Sequence, residues 1–208
     1  MISNPDEQEH AKQELTARLS LIESMIAEGR QTTESWGWSF VLWGIAYYVA
    51  IAWSTLGHSN FAWPVTMIGT GILTAVIASR MTNRQPETTV GRAISAIWIG
   101  VGASLFIFCL CASSAGRIDL QTFVAAVAAM LGAANAISSI ILKWKGQFAC
   151  ALIWWASAAA SCFSTASQSS IIFLVAIFFG QIVFGVYMMF SESRERRNHE
   201  SKSGAAHA

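Results

Sequence analysis

Hydrophobic and polar positions are distributed along this chain in long blocks, with apolar runs of helix length separated by short polar linkers. Six such runs follow a polar N-terminal segment, at residues 36–56, 63–79, 93–114, 120–142, 148–166 and 171–190. A helix of about 20 residues crosses the ~30 Å hydrocarbon core of a bilayer, and tilt tolerates a few more or fewer. The pattern predicts an all-α, polytopic membrane protein with a bundle of six transmembrane helices. Its composition agrees, since 54% of the residues are hydrophobic and only 12% are charged.

The N-terminal segment predicts a cytoplasmic amphipathic helix over residues 3–30, capped by Ser3 or Asn4. Its apolar residues are spaced by 4, 3 and 4 positions and form one stripe, which consists of Leu15, Leu19, Ile22 and Ile26. The stripe extends over only about two heptads, which is too short to predict a coiled coil. We therefore interpret it as an interaction surface, either for the protein's own loops or for a protein partner.

The basic residues predict the orientation of the helices. With six spans, Arg117 alone falls on one side of the membrane, and the other basic residues fall on the opposite side: Lys12, Arg18, Arg30, Arg80, Arg84, Arg92, Lys143, Lys145, Arg194, Arg196, Arg197 and Lys202. By the positive-inside rule, both termini are cytoplasmic. We expect the membrane to be a bacterial-type cytoplasmic (inner) membrane. The predicted domains are an acidic helix at 1–34, a transmembrane domain at 35–191 and a flexible cytoplasmic tail at 192–208.

The acidic residues suggest a contact at the cytoplasmic face. Residues 1–34 carry seven acidic residues against three basic ones, whereas the two cytoplasmic loops carry five basic residues against Glu87 alone. One hypothesis is that the acidic helix lies across the basic loops. The alternative is that the acidic helix is surrounded by water. Under both hypotheses, its negative charge disfavours binding to anionic lipid.

Three pairs of residues suggest an internal repeat. Leu42-Trp43, Ile97-Trp98 and Ile153-Trp154 stand 55 and 56 residues apart, each early in an odd-numbered span. The even-numbered spans carry Met67-Ile68-Gly69, Met130-Leu131-Gly132 and Phe178-Phe179-Gly180. These positions favour three helical hairpins of one topology.

Glycine-containing motifs in these hairpins carry a resemblance to a known family. Gly44-Ile45 in the first span, Gly69-Thr70-Gly71-Ile72 in the second, and Gly180 through Gly185-Val186 in the sixth resemble the HdeD-like family of bacterial acid-resistance membrane proteins. The resemblance implies six transmembrane helices and a stress-related role in the membrane. It carries over no catalytic residue.

Polar groups inside the apolar runs are the candidate site. Thr70, Asn135 and Gln181 lie one in each even-numbered span, within about a turn of the same depth. They could surround a polar or aromatic solute, with Trp43, Trp98 and Trp154 as cavity walls. The simpler interpretation is interhelical hydrogen bonding, worth ~0.6 kcal/mol for each group.

Small residues predict where the bundle is tightest. The fourth and fifth predicted spans are rich in alanine, glycine and serine, which let helices approach closely in lipid. We therefore expect these two spans to form the closest pair.

The chemistry missing from the apolar runs narrows the function. No run contains Asp, Glu, Lys, Arg or His, which disfavours ion-coupled pumps, intramembrane proteases and b-type cytochromes. We therefore expect no catalytic residue, cofactor or metal site, and no nucleic-acid partner. The first interpretation is a non-enzymatic membrane protein with an accessory, sensory or stress-related role, which uses residues 1–30 to bind a protein. A small uncoupled transporter or channel is the alternative. Both interpretations are compatible with a homo-oligomer.

Overall fold

A computed structural model of the chain describes residues 5–57, 61–82, 89–115, 118–191 and 193–194. Ser3, Asn4, Arg84, Arg117 and most of the predicted tail lie outside the described residues. The described chain is helical without a strand, which confirms the all-α prediction. Its helices are α1 Pro5–Glu34, α2 Gly37–Leu56, α3 Ala62–Thr82, α4 Thr89–Ala115, α5 Leu120–Leu142, α6 Lys145–Cys162 and α7 Ala166–Ser191.

Five of these helices, α2, α3, α4, α5 and α7, are long and apolar enough to cross a membrane. This supports a multi-pass membrane protein whose outer surface contacts lipid. The span predicted at 148–166 differs from the others, because the structure begins it at Lys145 and ends it at Cys162. Lys145 and Gln147 in its first turn, together with its length of 18 residues, make α6 the least membrane-like of the predicted spans.

Local chemistry explains where α6 begins and ends. Lys143 adopts a left-handed conformation, with φ of 50°, and ends α5 in a Schellman-type turn in which Trp144 N donates to Ser139 O at 2.9 Å. At the other end, Thr165 begins α7 with a capping box, in which Thr165 N donates to Gln168 Oε1 at 2.9 Å. Both turns are short, so α5, α6 and α7 are successive neighbours.

The helices α5 and α6 make the most extensive interhelical contact of the described residues, which confirms the predicted tight pair. Gly132 of α5 lies directly under the ring of Trp155 of α6. On the other side of α6, the Trp154 ring lies against Gly180 of α7, where an added Cβ would be 2.6 Å from Trp154 Nε1. Glycine therefore provides the space for each tryptophan of α6.

The helices α2 and α7 also cross closely, with glycines at the contact. A Cβ at Gly185 would lie 2.8 Å from Gly37 O, and a Cβ at Gly44 would lie 3.0 Å from Gln181 Cβ. Backbone cannot move aside as a flexible side chain can. This crossing therefore fixes where Gln181 lies relative to α2.

The helices α3 and α4 are held less extensively than the others. The described part of α3 packs along α2, and that of α4 packs along α5 and the end of α1, whereas α3 and α4 make no extensive contact with each other. Two glycines border the gap, because Gly71 and Gly102 line the cavity there and a Cβ added at either would meet nothing within 4 Å. A cleft therefore lies between α3 and α4.

The helix α1 is anchored at its C-terminal end and exposed before it. Gly29 lies against Val90 of α4, where a Cβ would be 2.5 Å from Val90 Cγ1. By contrast, every side chain described from Gln8 to Ser24 is exposed. The hypothesis that the acidic helix lies across the basic loops is not supported by the described residues, since Arg80 and Arg92 are exposed and the one ion pair in this part of the chain joins Arg18 to Glu14.

We expect Gly185→Ala to lower the free energy of unfolding by about 1–3 kcal/mol, because the new methyl group meets the backbone of α2. The measurement is thermal unfolding of the purified protein in detergent. Gly100→Ala is the matched control, because the same change there enters open space and should leave stability equal or slightly higher. Equal stability of the two variants would contradict the close crossing of α2 and α7.

Candidate functional site in the membrane cleft

A partly open cavity of about 620 Å³ occupies the cleft between α3 and α4. The helix α2 forms its third wall, and Leu131 of α5 and Gln181 of α7 reach it from the far side. It extends from Thr33, at the end of α1, to Leu105 near the middle of α4. Its volume is within the range of about 300–1,000 Å³ that is typical of small-molecule sites.

Aromatic rings line much of the cavity. Four of them lie in α2 or directly before it, namely Trp36, Phe40, Trp43 and Tyr47, and Trp98 lies in α4. The Phe40 and Trp98 rings meet edge to face with centroids 5.2 Å apart, so they bring α2 and α4 together across the cavity. The Phe40 ring also packs edge to face on Phe184 of α7 at 5.4 Å. This wall is therefore preassembled, and it presents ring faces and edges to any molecule in the cleft.

Gln181 is the one carboxamide on the cavity wall. Its side chain is only 4% exposed, and it lines the cavity from α7. A carboxamide can both donate and accept hydrogen bonds. Gln181 can therefore bind a polar group of a molecule in the cavity.

The backbone around Gln181 is unusual. Residues Phe178–Val183 form a π-helical segment inside α7, and such segments occur often at functional sites. The Gly180 carbonyl in this segment accepts a hydrogen bond from Cys150 Sγ at 3.2 Å, which ties the segment to α6. The π-helical segment therefore lies between α6 and the cavity.

Three hydroxyl groups on the cavity wall donate to backbone carbonyls of their own helices. Thr33 donates to Gly29 O at 2.9 Å, Ser39 to Trp36 O at 2.8 Å, and Thr74 to Thr70 O at 2.8 Å. Each hydroxyl oxygen keeps lone pairs that can accept. The cavity is therefore rich in acceptors, and no charged side chain is among the described residues that line it.

The cavity contains half of the site residues predicted from sequence. Trp43, Trp98 and Gln181 line it. Thr70 is buried at 8% exposure, but its neighbour Gly71 is the residue on the cavity wall.

The remaining predicted residues are buried elsewhere in the bundle. Asn135 is fully buried in α5, where its Nδ2 donates to Leu131 O at 2.9 Å and its Oδ1 has no partner. Trp154 is fully buried against Gly180, in contrast to Trp43 and Trp98. The three tryptophans of the predicted repeat therefore occupy different environments.

Sequence reasoning missed the residues that give the cavity its space. Gly71 and Gly102 line it from opposite helices, and both face open space. Each belongs to a Gly-x-Gly pair, with Gly69 in α3 and Gly100 in α4. The paired spacing in two successive apolar runs was the available signal, because glycine without a packing partner leaves room in a helical wall.

No protein-family model, curated protein or solved structure matches this chain. Its function is therefore inferred from the chemistry of the cleft and of α1. Within the described residues, no group of three or more His, Cys, Asp or Glu side chains is placed to hold a metal ion. The cleft offers aromatic rings, hydroxyl oxygens and one carboxamide.

We expect the cavity to contain water, so that a cysteine placed on its wall reacts with a charged thiol reagent. Ser95→Cys on α4 should react roughly tenfold or more faster than Ala96→Cys, because only Ser95 lines the cavity and the reactive thiolate needs water. The two positions are adjacent in sequence and lie at the same depth. Labelling of each variant in membranes is measured as the gain over the unchanged protein, and equal rates would contradict a hydrated cleft.

Proposed function

We propose that this protein is a non-enzymatic, multi-pass membrane protein that takes up an uncharged aromatic or amphipathic solute in the cleft between α3 and α4. It would act as a small uncoupled transporter or channel. The observation that carries the proposal is the carboxamide of Gln181, only 4% exposed, on the wall of an aromatic cavity of about 620 Å³. The proposed occupant forms hydrogen bonds with this carboxamide.

The chemistry of the wall defines the class of solute. Hydroxyl oxygens of Thr33, Ser39 and Thr74 accept hydrogen bonds, and Gln181 both accepts and donates. A ligand that carries both donors and an acceptor, as a primary amide does, therefore fits this wall. Its body is aromatic or apolar, because rings stack on the surfaces that Trp43 and Trp98 provide.

The missing charge on the wall selects against ions. A charged solute in this part of the membrane would have no charged partner among the described lining residues, and burying an unpaired charge is costly. A neutral solute has no such cost. Among the described lining residues there is also no Asp, Glu, His, Lys or Arg to couple solute movement to protons, so the proposed movement is downhill.

The topology that we propose includes α6 as a sixth crossing. It is supported by the extensive packing of α6 on α5, which is long and apolar enough to span, because a helix packed along a spanning helix occupies the same depth. Six crossings place both termini on one side, and the basic residues favour the cytoplasm for that side. The three sequential helix pairs then form hairpins, as in the HdeD-like family that the chain resembles.

A second candidate function involves α1. Leu15, Leu19 and Ile22 are each more than half exposed, which leaves an apolar stripe available to a partner. This supports an accessory, sensory or stress-related role in which α1 is the interaction surface. The two functions are compatible, since the stripe and the cleft involve different residues.

The solute proposal predicts that a neutral aromatic amide binds. We expect purified protein in detergent to bind 2-naphthamide in preference to 2-naphthoate, its anionic counterpart, in equilibrium dialysis. Gln181→Leu should weaken 2-naphthamide binding by roughly tenfold, because two hydrogen bonds are lost. Equal binding of the amide and the acid, or an unchanged affinity in Gln181→Leu, would contradict the proposal.

A pair of glycines supplies the matched control for the same experiment. Gly102→Leu fills the cavity and should abolish both binding and naphthamide flux into proteoliposomes, whereas Gly100→Leu should preserve both. Both glycines face open space on α4, and only Gly102 lines the cavity, so neither change forces a clash with the protein.

The topology predicts the activity of reporters fused to the chain. Green fluorescent protein fused after residue 208 should fluoresce, and alkaline phosphatase at the same position should be inactive, because both would lie in the cytoplasm. Fusion of each reporter after residue 165 should reverse both results, since that point precedes the final crossing. An active phosphatase at both positions, or at neither, would contradict a crossing between them, and an active phosphatase after residue 208 would contradict the cytoplasmic C-terminus.

A further inference from the structure

The N-terminal half of α1 is exposed. All described side chains from Glu9 to Ser24 are exposed, and Gly29 near the C-terminal end of α1 contacts α4. In proteins, most helical stability comes from packing an apolar face rather than from intrinsic propensity. The structure therefore contains a helix whose apolar residues Leu15, Leu19 and Ile22 are exposed within one copy of the chain.

We propose that α1 of a second copy of this chain covers this face, in a short parallel coiled coil. The stripe of Leu15, Leu19, Ile22 and Ile26 follows the 4-3-4 spacing of heptad positions d, a, d and a. The membrane dictates the parallel arrangement. Two copies inserted with the same topology present α1 on the same face, and both helices leave the bundle in the same direction.

Charge complementarity selects the second copy as the partner. In this heptad register Arg18 occupies position g, and Glu23 occupies position e of the next heptad. Residues at g and e of neighbouring heptads face each other across a parallel coiled coil. Each Arg18 therefore meets Glu23 of the other copy. The adjacent e and g positions, Thr16 and Met25, are neutral and introduce no like-charge pair.

The shortness of the stripe is offset by the membrane. Two heptads are too few for stable pairing of free helices in solution. Copies confined to one bilayer with a shared orientation meet at a raised effective concentration, which favours pairing without added contacts. The anchoring of Gly29 on Val90 further restricts the base of each helix.

The test compares two leucines that are almost equally exposed. Leu19 is 54% exposed and lies on the stripe, whereas Leu21 is 61% exposed and lies off it at position c. Full-length protein is labelled with donor and acceptor dyes, reconstituted in lipid vesicles and diluted with lipid while energy transfer is recorded. We expect Leu19→Asp to weaken self-association by roughly tenfold or more, and Leu21→Asp to leave it unchanged.

Three results would overturn the proposal. If the protein without substitutions is monomeric at all dilutions, α1 does not bind a second copy of the chain. Association that Leu19→Asp does not weaken must occur through other surfaces, such as the membrane helices. Equal losses in Leu19→Asp and Leu21→Asp would reflect general damage to α1, or its binding to lipid.

A charge exchange tests the register. Arg18→Glu and Glu23→Arg should each weaken association by roughly two- to fivefold, and the double variant should restore it. The bond from Arg18 to Glu14 within one helix does not explain such a rescue, because the double variant leaves Glu14 facing a glutamate. A double variant as weak as the single ones would contradict the parallel register. The inference rests on the membrane assignment and not on the solute, so 2-naphthamide binding in the same samples keeps the two proposals separable.

Discussion

The close crossing of α2 and α7 is the contact on which the cleft depends. Gly37 and Gly185 bring the two backbones together, and Gly44 lets α2 pass beside Gln181. In a bilayer, apolar surface gives no drive for helices to associate, so such contacts rely on close van der Waals packing. If α2 stood further from α7, lipid or solvent could reach Gln181 from that side. The crossing thus turns a polar residue within an apolar helix into a buried group on a cavity wall.

The bundle divides into a tight part and a loose part. The helices α5, α6 and α7 pack around tryptophans that lie on glycines, whereas α3 and α4 are each attached along one side. Glycine has opposite effects in the two parts. Gly132 and Gly180 accommodate a ring, whereas Gly71 and Gly102 face open space. Whether a glycine closes or opens a helical wall depends on the residue that faces it, which is a tertiary property.

The helices were predictable from the sequence because hydropathy, charge and capping are local. The predicted span at 120–142 matches α5 at both ends, where Asp119 precedes the helix and Lys143 ends it. Whether a residue lines the cavity depends on how its helix is rotated about its own axis. The depth of the residue in the membrane does not predict that rotation. Successive residues of a helix point in directions about 100° apart, so Gly71 lines the cavity whereas its neighbour Thr70 does not. Asn135 was also unpredictable as a wall residue, because its amide turned back to the carbonyl of Leu131. Gln181 lines the cavity, and the π-helical segment that carries it has no evident sequence signal.

The cleft and α1 are joined at one place. Thr33 lies on the cavity wall and donates a hydrogen bond to the carbonyl of Gly29, and Gly29 is pressed against Val90 at the start of α4. The next turn of α4 carries Ile94 and Ser95 of the cavity wall. Because α4 lacks extensive contact with α3, its first turns are held mainly by α1 and α5. A change in the direction of α1 therefore acts directly on the least supported wall of the cleft. The geometry thus links the surface proposed for self-association to the site proposed for the solute through a single close contact.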